Sequence, residues 1–183
     1  MGFWGAQGGA IVDPKRQFRW LISFGNSDLK SWYAKSAKKP SFQIGETPHQ
    51  FINHTFYYPG RVEWQTVDIV LVDPAGADDT SLALVKMLRN MGYYAPNNDL
   101  SAASTITKKK AVNALGGQVV LKQLGSDDSD TLETWKLINP WITNVEFGQL
   151  DYANNEMVEI SLTLRYDYAT LTANGVTFPH PLA

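Results

Sequence analysis

A chain without cysteine has to draw its chemistry from histidine, carboxylate, lysine or hydroxyl groups, and these 183 residues hold 3 histidines and 18 Asp plus Glu. His49 and His54 lie close in sequence and His180 is remote. Zinc needs three or four convergent ligands, so the pair does not make a metal site. Asp127, Asp128 and Asp130 suggest a calcium loop at first sight. An EF-hand alternates its acids around a central glycine, closes on a glutamate and is flanked by helices. Here the spacing fails and the flanking residues read as strands, so the acids read as a solvated turn. Lys108-Lys109-Lys110 could touch phosphates, but a lone triplet in a net-acidic chain reads as a wet face. Gly8-Gly9 precedes no strand–helix unit, and no phosphate-cradling loop or nucleophile elbow is present. The expectation is no catalytic residue, no metal, no cofactor and no enzyme.

Composition points the same way. Sixteen Lys plus Arg against 18 acids leave a formal charge of −2, which gives no global basic field to hold nucleic acid. A hydrophobic share of 44% and an aromatic share of 12%, with 6 Trp, 8 Tyr and 8 Phe, suit one packed domain over 1–183. The absence of cysteine removes disulfides and thiolate metal sites. The first residues show no charged stretch leading into an apolar signal core, and Ala6 stands where a myristoylation signal has Ser or Thr. No run of about 18 apolar residues offers a membrane span. A soluble intracellular product is expected.

The elements that could position anything are mostly strands. From Val158 the apolar side chains fall at every second position (Ile160, Leu162, Leu164, Tyr166, Tyr168), with Glu159, Ser161, Thr163, Arg165 and Asp167 between them. A period of two predicts one buried and one wet face. Trp141 to Val145 reads as the partner strand, with Asn154-Asn155 supplying positive φ for a tight turn. Trp64 to Val72 alternates with both faces mostly apolar, as in a central strand. Phe18 to Phe24, Leu29 to Lys38, Phe42 to Ile44, Gln118 to Leu124 and Leu132 to Ile138 add further strands. One helix is predicted after Asp78-Asp79-Thr80-Ser81, with Leu84, Met87, Leu88 and Met91 on one side and Gly92 at its end; Lys108 to Leu115 suits a short helical turn. Seven or eight strands and one helix predict an antiparallel β-sandwich or barrel.

Two segments stand out. Residues 1–15 contain four glycines and read as an arm, with Phe3 and Trp4 oddly placed for water. Residues 46–60 concentrate Phe51, Ile52, Phe56, Tyr57 and Tyr58 between Pro48 and Pro59-Gly60. A hairpin this apolar needs a cover, because isolated hairpins are marginal and bare edges invite pairing. Either its own sheet or a second subunit supplies it.

The run Thr143-Asn144-Val145, Gln149-Leu150-Asp151-Tyr152, Asn154-Asn155-Glu156 and a strand ending Leu164-Arg165-Tyr166-Asp167-Tyr168 resembles the C-terminal signature of the tail tube proteins of contractile-tailed bacteriophages, a family related to the tube proteins of phage-like injection devices. Upstream, Ala34 to Lys39 resembles that family's second strand. Asp68 to Asp73 with the helix after it resembles its middle, and Lys108-Lys109-Lys110 leads into a hairpin as the family's does. The likeness spans roughly residues 16 to 168 and departs at Met1 to Ala10 and at Thr170 to Ala183. The resemblance implies sheets that extend into a ring-shaped multi-subunit barrel, in stacked homohexameric rings inside a contractile sheath. It implies a structural virion subunit, assembled in the host cytoplasm, with sheath, baseplate and tape-measure proteins as partners, and DNA passing through unbound. Under it Phe3, Trp4, His49, Phe51, Ile52, His54, Phe56, Tyr57 and Tyr58 are the expected subunit interface, with 1–15 and 169–183 as arms and 46–60 as a protruding hairpin. Gln65, Glu159, Ser161 and Thr163 are the expected lumen residues. A type VI secretion or other injection-device tube is the nearest alternative. A monomeric β-sandwich that grips a ligand with tryptophan and tyrosine is the other.

Overall fold

The computed structural model describes residues 14–26, 29–76, 79–95, 105–126 and 131–179. Its eleven described strands form three antiparallel sheets. β1 (Trp20–Phe24), β6 (Gln118–Leu124), β7 (Thr131–Ile138), β10 (Tyr168–Ala173) and β11 (Val176–Phe178) make a five-stranded sheet in that order. β2 (Ala34–Ala37), β5 (Val67–Val72), β9 (Glu159–Arg165) and β8 (Trp141–Glu146) make a four-stranded one. β3 (Phe42–Phe51) and β4 (His54–Trp64) pair only with each other. Two α-helices are described, α1 (Thr80–Asn90) where the sequence predicts a helix and α2 (Lys108–Ala114) where it predicts a short helical turn.

One core cluster draws from both larger sheets and both helices. The period-two reading of β5 and β9 holds: Val67, Ile69 and Leu71 lie beside Ile160, Leu162 and Leu164, all buried. Each such side chain contributes about 1.5–3 kcal/mol by leaving water. Ile22, Val119, Leu137 and Ala169 meet them from the five-stranded sheet. The alternation of β9 does not run on to Tyr168, however. The chain leaves the four-stranded sheet after Arg165 and enters the other as β10, where Ala169 is buried and Tyr168 is exposed.

The helix ends are capped as the sequence predicts. Asp79 Oδ1 accepts from Leu82 N at 2.7 Å, and Asp73 accepts from Thr80 N, Ser81 N and the Ser81 hydroxyl. Leu84, Met87 and Met91 are buried, whereas Leu88 faces outward, so the apolar stripe is narrower than expected. Thr107 caps α2, and Lys108 reaches Asp167 at 2.6 Å. Past α2 the backbone of Gly116, at φ 76°, lies against Gly25, so close that a Cβ on either residue would collide with the other.

Two expectations change. Asn154-Asn155 do not close a tight turn: twelve residues, 147–158, join β8 to β9, and positive φ among non-glycine residues occurs instead at Ile52, Asn139 and Asn174. The two asparagines lie in a looped segment where the Asn154 side chain accepts from Glu156 N at 3.0 Å, satisfying the backbone locally. The expected arm at 169–183 is, in its described part, strand: β10 and β11 turn at Asn174 and Gly175 and pair into the sheet.

A polar network closes one end of the sandwich. Gln123 and Glu133 are cross-strand partners on β6 and β7 and are both buried. Lys15 and Lys39 both bind the Glu133 carboxylate; Lys39 also donates to Gln123 at 2.6 Å, and Gln123 holds the Arg16 carbonyl at 2.7 Å. Burial alone would push the Glu133 carboxyl up, but the two ammonium groups outweigh it and leave it below its ordinary value of 4.5. A carboxyl depressed by folding stabilises the fold above the unfolded pKa, and that contribution is lost as pH falls through the folded value. Glu133→Gln is therefore expected to lower stability by roughly 1–3 kcal/mol at pH 7. The deficit should shrink steadily in urea titrations carried below pH 4.5. An unchanged deficit at acid pH would mean that shape, and not charge, holds the network.

The hairpin turn gives a second expectation. Ile52 sits at φ 54°, a left-handed conformation that β-branched residues avoid, at the first of two turn positions where glycine is favoured. Ile52→Gly should relieve this strain and slow amide exchange across β3 and β4 by roughly fivefold, the equivalent of about 1 kcal/mol.

Candidate assembly surface

The β3–β4 hairpin is rooted firmly and then left bare. Phe42 packs edge-on against Trp64 at 5.5 Å between ring centroids, and Trp64 lies 6.0 Å from buried Tyr166 of the sandwich. Gln65 N donates to the Ser41 carbonyl at 2.8 Å, clamping the two strands where they leave the domain. Beyond this root nearly every residue of β3 and β4 is exposed. At about 3.4 Å per residue the hairpin extends for roughly 30 Å.

Register decides what each face presents. Phe42 pairs with Trp64 and Ile44 with Val62, so the base of one face is apolar. The register shifts between Ile44 and Glu46, where Gly60 lies against Gly45, and this bulge separates base from tip. In the tip half His49 opposes Phe56, Phe51 opposes His54 and Thr47 opposes Tyr58, all on the other face. Rings of His54 and Phe56 meet at 4.6 Å, those of His49 and Tyr58 at 6.5 Å. The hairpin thus carries apolar side chains on opposite faces at its two ends. Ile52 at the turn is 90% exposed. A monomer leaves these residues in water, and large contiguous apolar patches of this kind mark interaction sites.

The structure brings His49, Phe51, His54, Phe56 and Tyr58 together on one face and Ile52 at their end. Tyr57 falls on the opposite face with Pro48. Phe3 and Trp4 lie outside the described residues, as do Asp127, Asp128, Asp130 and His180. Among the described residues no group of three metal-ligating side chains converges, and no helix is long and apolar enough to cross a membrane.

Of the residues expected to line a channel, Glu159, Ser161 and Thr163 share the outer face of the four-stranded sheet, opposite the core. The Thr163 hydroxyl bonds Asp68 at 2.9 Å across to β5, and Lys35 binds Glu159. That carboxylate, bonded to the ammonium, raises the Lys35 pKa. On this face Asp68, Glu146 and Glu159 stand against Lys35 and Arg165, leaving it close to neutral. Gln65 does not belong to the face: it lies in the link between β4 and β5, with its amide on the Glu63 carbonyl. The sheet ends in β2 on one side and β8 on the other, and neither outer edge has a strand partner among the described residues.

Sequence reasoning missed β10 and β11. The signal was present in Asn174-Gly175, flanked by alternating residues, which is the signature of a two-residue hairpin.

No protein-family model matches the chain, and no curated protein matches it. Solved structures do. A chain in the tube-terminating cap of the anti-feeding prophage superposes with a TM-score of 0.64 at 14% identity, over 90% of this chain and 94% of that one. A chain in the sheath/tube terminator of the extracellular contractile injection system PVC gives 0.64 at 14%, over 90% and 100%. One in the sheath–tube complex of the same system gives 0.58 at 15%, over 87% and 92%. At these identities the likeness is one of fold. The overall β-rich fold is shared with chains seen in contractile injection systems.

Proposed function

We propose that this chain is a structural tube subunit of a phage tail or of a phage-like contractile injection device, self-assembling into stacked hexameric rings. The observation that carries the reading is the hairpin at 42–64, which is rooted in the domain, apolar on both faces and uncovered. The shared fold with chains of injection-system assemblies supports it. Sheet geometry divides the labour. The bare edges of β2 and β8 meet those of neighbours around the ring, which removes them from water. Six four-stranded sheets give about 24 strands, beyond the 16–18 at which a barrel encloses an aqueous channel. Pro48 and Pro59 deny N–H groups to any further strand along the hairpin, so the tip makes its contacts through side chains.

In this arrangement the outer face of the four-stranded sheet, with Glu159, Ser161 and Thr163, lines the channel. A wall near neutrality does not grip DNA, because affinity for a polyanion grows with each phosphate neutralised. Sheath, baseplate and tape-measure proteins are its partners in a virion tail. Two of the similar chains come from terminator assemblies, which favours a second reading: a ring that ends a tube instead of propagating it.

Sedimentation and electron microscopy of the purified chain separate these readings. A tube subunit gives long hollow filaments, a terminator stops at single rings, and a ligand-binding module stays a monomer of 20.4 kDa. Deleting residues 48–58 should leave a folded sandwich that no longer forms tubes; tubes from the deletion variant would overturn the role of the hairpin. Asp68→Lys with Glu146→Lys removes two carboxylates and adds two ammonium groups per subunit, shifting the net charge of a ring of six by about +24, and short DNA should then co-sediment with variant tubes but not with wild type. Equal retention by both would remove that face from the channel.

A further inference from the structure

The loop 147–158 does nothing for the fold that a much shorter connection could not do. β8 and β9 are already adjacent and paired, and antiparallel neighbours close with two to five residues. Yet this loop is shaped. Gly148, at φ 82°, lies so close to the Glu159 carbonyl that a Cβ would approach it to 2.6 Å. Asp151 accepts from Ala153 N at 2.9 Å, and Asn154 holds Glu156 N. On this scaffold Leu150, Tyr152 and Met157 are exposed, Tyr152 completely, around an open groove of about 580 Å³, and Phe147 is exposed at the start of the loop.

Its place in the sheet supplies the partner. The loop leads into Glu159, which pairs with Val72 at the far end of β5. The hairpin leaves from the near end of β5, where Val67 pairs with Leu164. Loop and hairpin therefore project from opposite ends of one four-stranded sheet. Two dissimilar surfaces at opposite ends of a molecule, if they fit, build an open head-to-tail stack. They are chemically matched. The tip offers aromatic rings, Ile52 and the imidazole donors of His49 and His54, with no carboxylate between Thr47 and Pro59. The loop offers apolar side chains with the carboxylates of Asp151 and Glu156, and no lysine or arginine.

We infer that the 147–158 loop of one copy receives the hairpin tip of the next, which is the axial contact of the stack. The inference rests on the tube reading above and names the surface that reading leaves open. The natural chain has no cysteine, so paired cysteines report the contact cleanly. A chain carrying both Ile52→Cys and Tyr152→Cys should give, on oxidation of assembled protein, a ladder of cross-linked multimers. An equimolar mixture of the two single variants should give dimers and no longer species. Assembled protein with no ladder overturns the contact while leaving the tube reading intact, as does efficient cross-linking of Ile52→Cys alone, which would place tip against tip. A wild-type chain that stays monomeric overturns both. As a second measurement, Leu150→Asp with Tyr152→Asp should leave the melting temperature unchanged and raise the concentration needed for tubes at least tenfold; an unchanged threshold counts against the loop.

Discussion

The fold depends on one imbalance: a sandwich that satisfies its own core, joined to a hairpin that cannot satisfy itself. Two strands alone are marginal in water, because neither face has a layer to bury against. Here the hairpin is held at its base by the Phe42–Trp64–Tyr166 ring contacts and by the backbone bond from Gln65 to Ser41, and beyond that base nearly all of its residues are exposed. The root makes it a defined projection. The bare faces make it an unfinished one.

Ile52 shows the same imbalance in a single residue. A β-branched side chain at positive φ in an exposed turn costs stability and contributes nothing to the isolated domain. Strain of this kind persists where a side chain is wanted at that point for another purpose. The core has the opposite character. Its strands, caps and the Lys15–Glu133–Lys39 network each compensate their own costs, so the sandwich serves as a rigid mount with two sheet ends and two edges that lack a strand partner among the described residues.

How much of this was legible in the sequence follows from which interactions are local. The alternation of β5 and β9 was readable because each has one face in the core. The crossover at Tyr166 and Asp167 was not, since the period of two continues through it while the chain changes sheets. The apolar character of the hairpin is legible and its cover is left open between its own sheet and a second subunit, while Gly45 hides its length: a glycine that ends a strand and one that marks a bulge look alike in sequence. Asn154-Asn155 looked like a turn because asparagine tolerates positive φ, but there its side chain serves the local backbone instead. The Glu133 network joins residues 118 and 94 positions apart, a distance at which no spacing argument operates. The candidate interface was legible as a composition, and its division between two faces was not, because register alone decides it.

The central claim is that residues 42–64 are completed by another copy of the chain. Hydrogen–deuterium exchange, followed across a dilution series from assembled to dispersed protein, tests it most directly. The account requires the amides of the hairpin to exchange rapidly in the dispersed chain and to become protected on assembly, while those of β5 and β9 stay protected throughout. Hairpin amides as slow as the core in a dilute monomer would contradict it.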